Sequence, residues 1–116
     1  MKFVIATVRR DKANDVIESL HRAGIDDYSI TRAQGPASEP AQIQMYRGSI
    51  IRQRLAERIR FELAVSQPLL WRAIDAICEG ARTGEVGDGN IVVIDVEEGV
   101  RIRTGTRADN ALRPIA

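Results

Sequence analysis

The chain has 116 residues, and its 17 basic side chains against 16 acidic ones leave a formal charge of +1. That length predicts a single domain over residues 1–116. The near-neutral balance and an aromatic content of 4% exclude the basic field and stacking surface of a nucleic-acid binder. A lone cysteine, Cys78, and a lone histidine, His21, rule out an intrachain disulfide and a multi-histidine metal site, and they fit a reducing, cytoplasmic setting. The N-terminal stretch lacks a signal-peptide pattern, and no apolar run has the length of a membrane span. Membrane association is therefore expected only through a partner.

Residues 3–8 are apolar and β-rich between charged flanks, which predicts a central strand. Residues 11–23 place Ala13, Val16, Ile17 and Leu20 on one helical face, with Gly24 as the C-terminal cap. Residues 27–33 predict a second strand with Tyr28, Ile30 and Arg32 on one side. Residues 34–54 carry Gly35-Pro36 and Glu39-Pro40 breaks among isolated Ile43, Met45, Ile50 and Ile51. A loop of that length in a short domain is expected to be functional; a disordered connection and a distorted hairpin tip are the alternatives.

Within residues 55–65 Ile59, Phe61 and Leu63 alternate with Arg58, Arg60 and Glu62. The first set faces a core, the second solvent, a ligand or another subunit. Ser66 as cap and Pro68 in the first turn predict a helix running to Arg82, with Leu70, Ile74 and Ile77 as its stripe and Trp71 at the edge. Residues 91–96 predict a strand, Gly99 a turn, residues 100–104 a short terminal strand, and residues 105–116 a polar tail.

This order is the split βαβ plan, an α+β sandwich of ferredoxin-like type with four antiparallel strands and two helices. The helices cover one sheet face only. Self-association through the other is the economical way to cover its alternating apolar residues.

Three glycines in residues 84–89, following a helix and preceding a strand, suit a loop whose backbone N–H groups approach an anion or phosphate. A structural turn is the bland alternative. Asp88 within it either holds a sugar hydroxyl or fixes the turn. Arg101 and Arg103, two apart on the expected strand, share a face, as do Arg58 and Arg60. Such pairs suit a polyphosphate, or else form a solvated face neutralised by Glu62, Glu97 or Glu98. No catalytic constellation and no metal site is predicted. His21 and Cys78 lie on separate helices, and the pairs Asp26-Asp27 and Glu97-Glu98 read as turn and strand-end charges.

Two segments, Thr83-Gly-Glu-Val-Gly-Asp-Gly-Asn-Ile-Val-Val and Val100-Arg-Ile-Arg-Thr-Gly, resemble the C-terminal signature of the nitrogen-regulatory PII signalling proteins. Met45-Tyr46-Arg47-Gly48 resembles part of that family's long T-loop, and the likeness extends over almost the whole chain. The resemblance implies a non-enzymatic homotrimer with adenine nucleotides bound in clefts between subunits. It places Gly87, Asp88, Gly89 and Asn90 in the phosphate-cradling loop and Arg101 and Arg103 at the phosphates. It places Gly35, Arg58, Glu62 and Thr83 around the same cleft. The T-loop, about residues 37–55, would dock on a regulated partner, either a membrane transporter or a metabolic enzyme. Ile43, Met45, Tyr46, Arg47, Ile50 and Ile51 are its expected contact residues, or else they pack on the trimer itself.

The chain departs from the family pattern in several places. Asn90 and Arg58 stand where the family usually has lysine, Glu39 where it has the glutamine that organises magnesium and 2-oxoglutarate, and Ala37 where it has glycine. Ile51 occupies the position of the commonly uridylylated tyrosine. These departures point to a divergent branch that favours ADP or AMP over ATP. Control of nitrogen metabolism or of inorganic-carbon uptake and carboxysome-linked metabolism are both open, with 2-oxoglutarate or bicarbonate as second metabolite and Mg2+ undecided. Slow ATP or ADP hydrolysis, and a trimeric scaffold without ligand, are the rival functions.

Overall fold

A computed structural model describes residues 1–36, 44–46, 49–51 and 55–107, with 44–46 and 49–51 described by their strand pairing alone. Strand β1 (Lys2–Arg9) lies between β5 (Leu55–Val65) and β6 (Gly89–Asp95), and β2 (Ser29–Pro36) pairs with the outer side of β5. The sheet order β2-β5-β1-β6 is antiparallel throughout. With helices α1 (Ala13–Arg22) and α2 (Leu70–Ala81) it makes the expected ferredoxin-like α+β sandwich.

Alternation along the strands decides what each face does. Val4, Ala6 and Val8 of β1 and Phe61, Leu63 and Val65 of β5 point to the helices and are buried. They meet Val16 and Leu20 of α1 and Leu70, Ala73 and Ile77 of α2 in one core. The opposite face carries Phe3, Ile5, Thr7 and Arg9 beside Arg58, Arg60 and Glu62, and it leaves Val92 and Ile94 each 48% exposed. This open face is apolar towards the Lys2–Asp95 end and basic towards the Arg9 end.

The two helices approach closely because small groups line their crossing. A Cβ on Gly80 would lie 2.7 Å from the Val16 Cα, and the buried Ser19 hydroxyl donates to the Ala76 carbonyl at 2.6 Å. Helix α1 ends in a Schellman motif. Gly24, at φ +80°, donates to the His21 carbonyl and Ile25 to that of Leu20, each at 2.9 Å.

Several expectations are corrected. The segment at 100–104 is not a strand. Val100 makes a single bridge to Arg107, and the chain closes a turn with Arg101 N–H on the Thr106 carbonyl (2.8 Å) and Gly105 N–H on that of Arg101 (2.7 Å). Arg101 and Arg103 therefore do not share a strand face. Ser66 makes no side-chain cap; its carbonyl accepts from Leu69 N–H at 3.0 Å, opening a 3-10 turn (Gln67–Leu69) that holds Pro68. Residues 10–12 are likewise 3-10 before α1 begins. The second strand starts at Ser29 and reaches Pro36, taking Gly35 out of the long loop. Inside that loop β3 (Gln44–Tyr46) and β4 (Ser49–Ile51) pair antiparallel. Trp71 stands outside the stripe, 67% exposed.

Candidate functional site

Helix α2 stops at Ala81 and β6 starts at Gly89, so residues 82–88 must reverse the chain beside the end of β1. Gly84, Gly87 and Gly89 take φ of +88°, +105° and +100°, conformations that L side chains avoid. At Gly89 the reason is also steric. An added Cβ would sit 1.8 Å from the Thr7 carbonyl oxygen, so only glycine lets the loop enter the ladder against β1.

The Asp88 carboxylate turns into this loop. It accepts from the backbone N–H groups of Thr83 and Gly84, each at 2.9 Å, from the Thr83 hydroxyl, and from Arg9 Nε at 3.1 Å. A carboxylate offers about four lone-pair sites, and these four donors use them. Asp88 braces the turn, one of the two roles its place in the loop suggested. The Thr83 hydroxyl and N–H lower its pKa furthest; burial opposes them, and the Gly84 N–H and Arg9 lower it further by less each, so the group stays ionised well below the usual carboxylate range. The Thr83 hydroxyl also accepts from Glu85 N–H at 3.1 Å.

Arg9 is the residue that sequence reasoning missed. Its Nη2 donates to the Val86 carbonyl at 2.7 Å, so one side chain from β1 grips the turn on both sides of Gly87. The signal was an acidic residue inside a presumed anion loop, which calls for a nearby cation. Which cation supplies it depends on β1 and β6 being neighbours, and that is a property of the topology.

Across β1–β5, Arg9 stands directly opposite Arg58, which is itself opposite Ala33 of β2. Gly35 lies two residues further along β2, opposite Ala56. Arg9, Arg10, Asp11, Glu57 and Arg58 line a depression of about 400 Å³ at this corner, where Arg10 and Glu57 form an ion pair at 3.2 Å. A second pocket, about 340 Å³, lies behind the loop; Asp88, Gly89 and Asn90 edge it, and Val8, Ile74, Ile77, Cys78 and Ile91 form its apolar wall. Asn90 pairs with Thr7 and is exposed.

The structure thus gathers Gly35, Arg58, Thr83, Gly87, Asp88, Gly89 and Asn90 at the Arg9 end of the sheet. Glu62 is four residues along β5 from Arg58, about 13 Å at strand rise. It pairs with Arg60 at 3.0 Å, the neutralised-face alternative for that arginine. Arg101 and Arg103 are not brought to the loop. Val96 N–H donates to the Met1 carbonyl, and Gly99 lies against the Met1 side chain, so the turn that follows sits at the opposite end of β1 and β6. That strand length is about 20 Å, beyond the reach of an arginine. Of the expected partner contacts, Met45 and Tyr46 fall on β3 and Ile50 and Ile51 on β4, while Ile43 and Arg47 lie outside the described residues. Among the described residues no cluster of three or more His, Cys, Asp or Glu is placed to hold a metal, and no helix is long and apolar enough to cross a membrane.

Comparison with known proteins agrees with this architecture. The sequence model of the family described as nitrogen regulatory protein P-II matches residues 1–106. The nitrogen regulatory protein P-II of Rhodospirillum rubrum is 36% identical over 112 residues, covering 97% of this chain and all of the relative. That of Azospirillum brasilense is 37% identical with the same coverage. Nitrogen regulatory protein P-II 1 of Methanothermobacter thermautotrophicus is 37% identical over 97% of each chain.

Proposed function

The chain belongs to the nitrogen regulatory P-II family, whose members are signalling proteins and not enzymes, and from that premise we propose that it is an adenine-nucleotide-responsive homotrimer. ADP or AMP, with ATP as the weaker alternative, binds between subunits. The loop at Thr83–Gly89 supplies backbone donors to the phosphates from one copy. Arg101 and Arg103 supply charge from the next, with Arg58 at the rim. Occupancy shifts the population of T-loop conformations, because nucleotide binds those states with different affinity. The T-loop then engages a regulated transporter or enzyme of nitrogen or inorganic-carbon metabolism, recruiting a cytoplasmic protein to its partner.

The observation that carries this reading is the separation of its two phosphate-binding parts. The glycine-rich loop and the Arg101–Arg103 turn occupy opposite ends of β6, so one chain cannot close both around one phosphate. A second copy can. The open sheet face, with half-exposed Val92 and Ile94, is an apolar surface for that association.

The test is sedimentation of the full chain together with calorimetric titration of AMP, ADP and Mg-ATP, each with and without 2-oxoglutarate or bicarbonate. A mass three times 12.9 kDa and saturable ADP or AMP binding are expected. A bicarbonate effect assigns carbon control. Mutual enhancement of Mg-ATP and 2-oxoglutarate assigns nitrogen control and shows that Glu39 and Asn90 leave that response intact. A monomer, or no binding of any adenine nucleotide, refutes the reading.

A further inference from the structure

We propose that Arg9 is the positioning residue that gives the glycine-rich loop its affinity for a phosphorylated ligand, by cancelling the charge of Asp88 and holding the Val86 carbonyl away. The inference rests on the nucleotide reading above and names what makes that same loop competent.

A loop built to receive phosphate should be electropositive, yet this one contains an aspartate that never protonates in the physiological range, with Glu85 close by in sequence. Asn90, the second residue of β6, adds no charge beside it. Left alone, the loop would present a net negative charge to a polyanion, and its backbone N–H dipoles would have to overcome it. Two of those dipoles, at Thr83 and Gly84, are already committed to Asp88 itself.

Arg9 supplies the missing charge from outside the loop. It reaches Asp88 at 3.1 Å and the Val86 carbonyl at 2.7 Å, so it engages the two electronegative groups that flank Gly87. Arg9 and Asp88 are 23% and 25% exposed, a sheltered pair in which charge is screened less than on an open surface. Its cross-strand partner is Arg58, and like charges directly opposite are unfavourable without a counter-charge. Asp88 is that counter-charge. The pair thus serves both the sheet corner and the loop, and a guanidinium suits it because its fork meets a carboxylate and a carbonyl at once.

The experiment compares ADP affinity by calorimetry for the full-length wild type, Arg9→Gln, Arg9→Lys, Asp88→Asn and Arg9→Gln with Asp88→Asn, at one salt concentration. Arg9→Gln is expected to weaken ADP about tenfold, equivalent to ~1.4 kcal/mol. Arg9→Lys, which keeps the charge and loses the fork, is expected to fall between wild type and Arg9→Gln. In the Asp88→Asn background the same Arg9→Gln change is expected to cost less than about threefold, since little charge remains to cancel. Amide exchange at Thr83 and Gly84 should remain slow in Arg9→Gln, because their acceptor is still present.

Equal ADP affinity in wild type and Arg9→Gln overturns the inference. So does an equal loss in Arg9→Gln and Arg9→Lys that is independent of Asp88, which would make Arg9 a packing element only. Loss of slow exchange at Thr83 and Gly84 likewise reassigns Arg9 to folding of the loop. If wild type binds AMP or Mg-ATP in place of ADP, the same comparison is made with that nucleotide; if it binds no adenine nucleotide, the nucleotide reading fails and this one with it, whereas failure confined to the variants removes this inference alone.

Discussion

Replacing Gly89 by alanine tests whether the loop enters β6 through a collision that only glycine avoids. Two costs add. A φ of +100° disfavours an L side chain by ~1–2 kcal/mol. The new Cβ would lie 1.8 Å from the Thr7 oxygen and 2.9 Å from its carbonyl carbon, both backbone atoms in the middle of the sheet. Relief requires the Val8–Gly89 end of the ladder to open, an overpacking cost of ~1–3 kcal/mol. The sum is about 2–5 kcal/mol. With a urea dependence of ~1.5 kcal/mol per molar, within the range for small domains, the midpoint falls by about 2 M. Gly84→Ala is the control, because Gly84 has a comparable φ of +88° and nothing within 4 Å of its Cβ. It carries the conformational cost alone, so its midpoint should fall by only about half as much. All three proteins are unfolded at one concentration, since an oligomer's stability depends on it. If Gly89→Ala unfolds no earlier than Gly84→Ala, the close approach to Thr7 is wrong and the register of β6 with it.

Gly80→Ala should destabilise by about 2 kcal/mol despite its better helix propensity, because its Cβ would meet the Val16 Cα at 2.7 Å and the Asp15 carbonyl oxygen at 2.8 Å; urea midpoints check it, and a gain in stability refutes the tight helix crossing. Asp88 has a depressed folded pKa, so its contribution to stability is fully present above its unfolded value, ~3.9, and is lost as pH falls through the lower folded one. The midpoint difference between wild type and Asp88→Asn should therefore be flat from pH 8 to about 5 and shrink only below about pH 4; a difference that disappears near neutrality refutes the four-donor arrangement. Ile94→Glu places a charge on the half-exposed apolar end of the open face and should dissociate the proposed trimer in sedimentation while the monomer keeps its far-ultraviolet spectrum; an intact trimer moves the interface elsewhere.

The fold was legible because its signals are periodic and local. Ile59, Phe61 and Leu63 alternate cleanly, and Phe61 and Leu63 are among the most buried side chains of the core. Gly24 follows a helical stripe and closes it in the predicted way. The errors fall where a local rule met a stronger neighbour. Alternation at Val100–Arg103 suggested a strand, but among the described residues no strand lies beside it to complete a ladder; Arg107 comes back instead and closes a turn. Ser66 had the chemistry of a cap, but its backbone carbonyl took up the Leu69 N–H in a 3-10 turn. Trp71 was expected at the rim of a stripe whose inner positions went to Leu70, Ala73 and Ile77, leaving the indole outside.

The site was legible in its parts and not in its assembly, and the reason is charge. Spacing alone identifies glycines that bend a chain, and it marks Asp88 as either a ligand group or a brace. Only the count of donors separates the two, and one of those donors is 79 positions away in sequence, on β1. The same is true in reverse for Arg101 and Arg103. Their spacing suggested a shared face suited to a polyphosphate, whereas β6 carries them to the far end of the sheet from the loop. Within a chain, then, the arginine that hydrogen-bonds to Asp88 and Val86 is Arg9, and the arginines that resemble a phosphate clamp lie at the other end of β6. The proposed trimer would reconcile these facts by bringing one copy's turn to another copy's loop. Arg9→Gln should weaken ADP without disturbing assembly, and Ile94→Glu should lose ADP by disturbing it. If Ile94→Glu monomers bind ADP as tightly as wild type, the loop and Arg9 suffice alone, and the second copy has no part in holding the phosphates.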